Sequence, residues 1–260
     1  MTTIHPSSVI HPSAQLDESV TVGPFCIIEE GVKIGAGTQL IQGVHAGKGA
    51  EIGRDNIIYG PTTIGLPPQD LRFKGEETRC VIGDHNVIRE FVTIHRGTGH
   101  GGGLTSVGSH GLYMAYSHIA HDCHVGDHVI FANAGTLAGH VTVGDHATIG
   151  AFCAVHQFCR VGAYAYLGGF TVATQDVLPY CKTVGSRPAR VYGINTIGLQ
   201  RKGFSEDAIA ALKRTFRLLF LTKRSLGEAL PEVEAEMGKN PDAAVLIDFV
   251  RTSERGVIAR

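Results

Sequence analysis

The sequence predicts a parallel β-helix built from hexapeptide repeats, followed by a small α-helical domain. Three observations carry that prediction. Aliphatic residues recur at every sixth position, small or β-branched residues follow them four positions later, and past residue 185 the pattern changes to helical spacing. The solenoid is assigned to residues 1–190 and the helical domain to 191–260.

The first run of hexads reads Ile4, Ile10, Leu16, Val22, Ile28, Ile34, Leu40, Ala46, Ile52, Ile58 and Ile64, and only Ala46 is not a bulky aliphatic. Ser8, Ala14, Val20, Cys26, Val32, Thr38, Val44, Ala50 and Thr62 fill the fourth position after them. No α-helix has a period of six, and a hairpin strand would not restart its pattern so regularly. Ile82, Ile88 and Ile94 resume the pattern. After a slip it continues through Val107, Tyr113, Ile119, Val125, Phe131, Leu137, Val143, Ile149, Val155, Val161, Leu167 and Ala173. Such hexads mark the parallel β-helix, in which each short strand turns one side chain inward and a tight turn feeds the next strand.

Residues 65–81 and 95–106 interrupt the hexads with Pro and Gly clusters and are expected to leave the coil wall as loops. In the tail, Ile209, Leu212, Phe216, Leu219 and Phe220 recur at helical spacing after Ser205. A second helix is expected to open at Ser225 with Glu228 closing a capping box. A third is expected near Pro241, carrying Ala244, Val245, Ile247 and Phe249 inward. This tail would cover the open end of the solenoid, where unpaired strand edges invite aggregation.

A net charge of −1 argues against wholesale nucleic-acid binding, which needs a strongly basic face. The amino terminus lacks the basic and apolar regions of a secretory signal, and no apolar run is long enough to span a bilayer. The six cysteines form no CxxC pair or framework, so they read as reduced thiols of a cytoplasmic protein.

Fourteen histidines are many for this length. If a coil holds 18 residues, Ile119, Leu137 and Val155 open equivalent hexads on successive coils. His121, His140 and His156 then fall on one side of the solenoid, with Asp122 directly above His140. Such a group suits acyl transfer. A neutral imidazole takes a proton from a hydroxyl near pH 7, a carboxylate orients it, and a backbone N–H beside Gly meets the oxyanion. No GxSxG-type nucleophile motif is present, which favours direct transfer over an acyl-enzyme. The same histidines could instead be solvated surface groups, and HIAHDCH also offers imidazoles for zinc, as in hexapeptide-repeat carbonic anhydrases.

Several segments then resemble one family closely. HIAHDCHVGD (118–127), LAGHVTVGDHATIGA (137–151), AVHQFCRVG (154–162), GPTTIGLPPQDLRFKGE (60–76), VTIHRGT (92–98) and GINTIGLQRKGFS (193–205) are similar to the UDP-N-acetylglucosamine O-acyltransferases that begin lipid A synthesis. The resemblance implies a left-handed helix with three hexads per coil. It also implies transfer of a (3R)-hydroxyacyl chain from acyl carrier protein to the 3-hydroxyl of UDP-N-acetylglucosamine, without a cofactor, by a homotrimer with sites between solenoids.

By position, the resemblance makes His121 the general base, Asp122 its partner and Gly139 N–H the oxyanion donor. His118 and His140 line the sugar site, His156 and Gln157 belong to the same cleft, and Asn133 lies on the donor side. Gln69, Asp70 and Arg72 serve the sugar, while Asn195, Arg201 and Lys202 match nucleotide and phosphate contacts. Gly169 corresponds to the floor of the acyl pocket and implies a fairly long chain. The family usually has two arginines where this chain has Arg201 and Lys202, and lysine cannot make a bidentate phosphate contact. Lys213, Arg214, Arg217, Lys223 and Arg224 could attract an acidic carrier protein or form a solvated face. A related N-acyltransferase carries an extra domain before its repeats, whereas these hexads start at Ile4. A 3-amino sugar acceptor, giving an amide, remains the closest variant.

Overall fold

Each hexad folds as a short strand and a corner, and three hexads complete one turn of a left-handed parallel β-helix. The computed structural model describes residues 3–259. Three parallel sheets form the walls, here called faces 1, 2 and 3 in the order the chain visits them. On face 1, Thr21 pairs with Thr3 on one side and Gln39 on the other, a spacing of eighteen residues.

The sequence period produces this wall directly. The sixth-position aliphatics Val22, Ile28, Ile34 and Leu40 point inward and are at most 3% exposed. Cys26, Val32, Thr38 and Val44, four positions later, are completely buried at the narrow corners, where only small or β-branched side chains fit. From Phe25 onward, the third residue after most of the inward aliphatics turns the corner with positive φ, for example Phe25 at 59°, Asp122 at 58° and His140 at 62°. That conformation costs a non-glycine residue about 1–2 kcal/mol. Because it recurs along the solenoid, it belongs to the corner as such, and only the side chain distinguishes one corner from the next.

Both loops leave the wall at the same corner, between faces 2 and 3. Ile57 pairs with Val87, thirty positions on, so the first excursion adds twelve residues to a coil. Val87 pairs with Leu112, twenty-five positions on, so the second adds seven. The excursions are narrower than composition suggests. Strands Thr62–Leu66 and Arg79–Ile82 bracket the first, and Thr93–His95 and Leu104–Val107 bracket the second. Gly65, Cys80 and Thr105 are buried in the wall, so a breaker-rich composition does not exclude them from strands.

After the last coil, strands Cys181–Val184 and Arg190–Ile194 pair antiparallel. Helices α1 (Thr196–Arg201), α2 (Glu206–Phe220), α3 (Leu226–Met237) and α4 (Pro241–Arg251) follow. Ser225 and Glu228 form the expected capping box at α3. Helix α1 was not foreseen: at six residues it is too short to show a period. On α4 the register differs from expectation, with Ala243, Leu246, Ile247 and Val250 buried and Val245 45% exposed. Leu178, Tyr180 and Cys181 at the end of the solenoid share a core with Leu212, Phe216 and Leu246. The returning tail completes the cover: Ile258 N–H bonds to the Asp176 carbonyl, and its side chain enters the solenoid core.

Candidate active site

The corner that carries both excursions also carries Asp122, His140 and Phe158, stacked on successive coils. Asp122 is 2% exposed, an expensive place for a carboxylate unless it is well bonded. Its Oδ2 accepts from His121 Nδ1 at 2.8 Å and from Thr98 Oγ1 at 2.6 Å, and its Oδ1 accepts from Thr98 N–H at 2.9 Å. Burial pushes this carboxyl up, but the Thr98 hydrogen bonds and His121 outweigh it and hold the group below the ordinary carboxylate range. An ionised carboxylate can only accept, so the His121 proton sits on Nδ1 and Nε2 is left as the basic nitrogen.

His121 Nε2 has no hydrogen-bond partner among the described residues, and it lies against Gly139. A Cβ at Gly139 would stand 2.5 Å from His121 Cε1 and 2.8 Å from Nε2, so only glycine lets the ring occupy this place. The Gly139 N–H likewise has no acceptor among the described residues. His140 meets His121 edge-on, with centroids 5.2 Å apart, and stacks on Phe158 at 4.5 Å. Its Nε2 is 3.8 Å from Asp122 Oδ2. His118 projects from face 2, bonded through Nδ1 to Thr93 Oγ1 at 2.6 Å, with His95 packed edge-on at 5.1 Å. Burial lowers His140 and His118, and it carries His95 down to about 4. These imidazoles are therefore held in their neutral form.

The first excursion brings Asp70 to this corner. Arg72 grips it through Nη2 at 3.0 Å and Nε at 3.3 Å, and His100 of the second excursion lies 3.2 Å from its Oδ2. The Arg72 guanidinium holds the Asp70 carboxyl far below the usual range. Gln69 is exposed beside it.

His156 does not join His121 and His140. It is exposed, its Nδ1 is 3.1 Å from the Gln157 carbonyl oxygen, and Arg255 approaches at 3.4 Å. The reason is register. His156 sits one residue into its hexad, so Phe158, eighteen after His140, takes the stacked place. Gln157 is exposed at the same corner.

The remaining expected residues lie on other corners of the same chain. Asn133 and Gly169 are exposed where face 1 turns into face 2. Asn195, Arg201 and Lys202 line a cavity of about 200 Å³ with His146 and Tyr164, where face 3 turns into face 1. The Asn195 side chain also caps α1 by accepting from Gly198 N–H. A cavity of about 540 Å³ beneath the first excursion contains none of the expected residues; its lining mixes Lys48, Arg79 and Arg96 with Glu30, Glu76 and Glu77.

Sequence reading missed Thr98, Thr93, Thr105 and His100. VTIHRGT contains two of them, but their partners lie 24 to 25 positions away, across one enlarged coil. The donor atoms of His121, Asp122 and His140 lie within 4.8 Å of one another, close enough to consider a cation. The bonds that Thr98 and His121 give the carboxylate, however, commit its oxygens within the chain. All six cysteines are buried, and burial pushes the Cys123 thiol next to Asp122 up to about 12. No helix among the described residues is long and apolar enough to cross a membrane.

Comparison with known proteins identifies the family. Residues 176–258 match the family described as Udp N-acetylglucosamine O-acyltransferase, Domain 2. An acyl-[acyl-carrier-protein]--UDP-N-acetylglucosamine O-acyltransferase of Thermodesulfovibrio yellowstonii is 48% identical over 99% of both chains. Among solved structures, the UDP-N-acetylglucosamine O-acyltransferase of Moraxella catarrhalis superposes with a TM-score of 0.95 at 43% identity, covering 98% of this chain and 99% of that one. The Francisella novicida UDP-N-acetylglucosamine acyltransferase gives a TM-score of 0.96 at 38% identity over 99% of this chain and 94% of that one. The chain belongs to the acyl-[acyl-carrier-protein]--UDP-N-acetylglucosamine O-acyltransferase family.

Proposed function

We propose that this protein moves a (3R)-hydroxyacyl chain from acyl carrier protein to the 3-hydroxyl of UDP-N-acetylglucosamine, with His121 as general base. The observation that carries this reading is the pair His121–Asp122. Its Nδ1 is tied to a buried carboxylate, and its Nε2 faces the open Gly139 backbone. Nε2 takes the proton of the sugar hydroxyl as its oxygen attacks the thioester carbon. The oxyanion forms against the Gly139 N–H, the C–S bond breaks, and the proton passes to the departing thiolate. No acyl-enzyme is needed, and no accessible thiol is on hand to form one among the described residues.

His118, His140 and the Asp70–Arg72 pair bind the sugar in this reading, with Gln69, His156 and Gln157 at the edge of the cleft. Asn195, Arg201 and Lys202 occupy a different corner and are assigned to the nucleotide of a neighbouring copy in a homotrimer, the assembly the family resemblance implies. Asn133 and Gly169 face the acyl chain. A Cβ at Gly169 would meet only the Ala151 carbonyl oxygen, at 3.4 Å, and that openness favours a long acyl group. Six free, buried thiols suit a reducing compartment, and the reaction is assigned to the cytoplasm.

The test is acyl transfer by chelator-treated protein with UDP-N-acetylglucosamine and its 3-amino analogue, each with hydroxyacyl carrier proteins of several lengths. Ester formation on the ordinary sugar is expected. Amide formation on the analogue alone would change the acceptor and keep the mechanism. Activity that is lost on chelation and restored by zinc would overturn the metal-free base.

A further inference from the structure

We propose that Thr98, in the glycine-rich second excursion, is a positioning residue that sets the basicity of His121 through Asp122. This inference rests on His121 being the base.

Thr98 is fully buried and touches both oxygens of Asp122, through its N–H and its hydroxyl. The direction of the hydroxyl bond is determined. Gly101 N–H donates to Thr98 Oγ1 at 3.0 Å, and His100 Nε2 lies 3.4 Å from the same oxygen, so the hydroxyl proton is left to point at Asp122 Oδ2. That oxygen is the one His121 Nδ1 also uses. The loop around Thr98 is shaped for this approach. A Cβ at Gly101 would stand 2.2 Å from Asp122 Oδ2, and one at Gly97 would stand 2.9 Å from Oδ1. Asp122 is further pinned by its own N–H, which bonds to Thr105 Oγ1 at 2.8 Å.

The chemical consequence follows from competition for one oxygen. A hydroxyl donor draws negative charge from Oδ2, and less charge then remains to stabilise a protonated His121. Thr98 and His121 thus share one oxygen, and the Thr98 hydroxyl sets how much of the carboxylate's charge is left to the imidazole. The titratable groups facing the pair are His140 on the next coil, His118 and His95 on face 2, and His100, Asp70 and Arg72 in the excursions. None of them donates a hydrogen bond to Asp122 Oδ2 at the distance Thr98 does. Cys123 beside the carboxylate stays a thiol.

The experiment compares the kcat/KM pH profiles of wild type, Thr98→Val, Thr98→Ser and His121→Ala, with melting temperature and oligomeric state measured alongside. Thr98→Val keeps shape and loses the hydroxyl donor. It should move the acid limb to higher pH by about half a unit or more and lower kcat about tenfold, with KM little changed. Thr98→Ser should restore both. If Thr98→Val does not fold, Thr98→Cys, with its weak S–H donor, takes its place and should show the same upward displacement. An unmoved acid limb in a folded variant, with His121→Ala inactive, overturns the role of Thr98. An active, folded His121→Ala overturns the base assignment itself, and the two failures are therefore distinct.

Discussion

At the scale of single residues, the site depends on a close approach more than on an unusual backbone. Asp122 and His140 take the same positive φ as Phe25 and Phe158, so the corner geometry is shared and the side chains make the difference. Gly139→Ala tests the close approach. The added methyl would overlap His121, forcing the ring off Asp122 or away from the substrate. We expect kcat to fall about 100-fold with melting temperature nearly unchanged, since a displacement of this size near the reacting atoms costs that much. A variant within a fewfold of wild type would show that the ring need not sit against residue 139. Asp122→Asn should cost on the order of 10³-fold in kcat, because an amide can hold the wrong imidazole tautomer. Steady-state kinetics at the pH optimum would measure it.

At the scale of elements, faces 2 and 3 and the two excursions surround a group of imidazoles that burial keeps neutral. His95 is the clearest case, 6% exposed and carried down to about 4. Its folded value lies below its unfolded value of about 6.5, so acid favours the unfolded chain. Its contribution is fully present above pH 6.5, declines as pH falls from there to about 4, and amounts to about 3 kcal/mol over that window. The urea midpoint should therefore drop between pH 7 and 4, and His95→Gln should flatten that drop. Equal slopes for the two proteins would assign the acid sensitivity elsewhere.

Much of this scale was legible in advance. The hexads give the inward aliphatics, the strand positions and the stacking of Asp122 over His140, because each follows from a period of six and a coil of eighteen. What the period cannot show is how an excursion folds back. Thr98 reaches Asp122 because the second excursion returns to the same corner, while Thr93 meets His118 by strand register on face 2, at a spacing that the excursion stretches from eighteen residues to twenty-five. His156 lies on the expected side but is set apart for a smaller reason. A two-residue offset around the corner separates it from the position over His140, which Phe158 takes. In the tail, α1 was too short to display a period, and α4 is apolar on enough sides that spacing alone did not choose Leu246 over Val245.

At the scale of the molecule, one chain does not bring all the expected groups together. His121 and Asp122 stand where face 2 turns into face 3, and Asn195, Arg201 and Lys202 where face 3 turns into face 1. The proposed site combines them through a second copy. Mixing His121→Ala copies with Lys202→Ala copies, each inactive alone, should restore activity to about a quarter of wild type, the share of interfaces joining two intact halves at equal random assembly. Mixed assemblies without activity would confine the site to one chain.

The central claim, that His121 is the base of a direct, metal-free acyl transfer, is tested most directly by one measurement. It is the transfer rate of folded His121→Ala from (3R)-hydroxyacyl carrier protein to UDP-N-acetylglucosamine, beside chelator-treated wild type. The account predicts full activity for the treated wild type and a loss of at least about 100-fold for the variant. Near-normal transfer by the variant would contradict it.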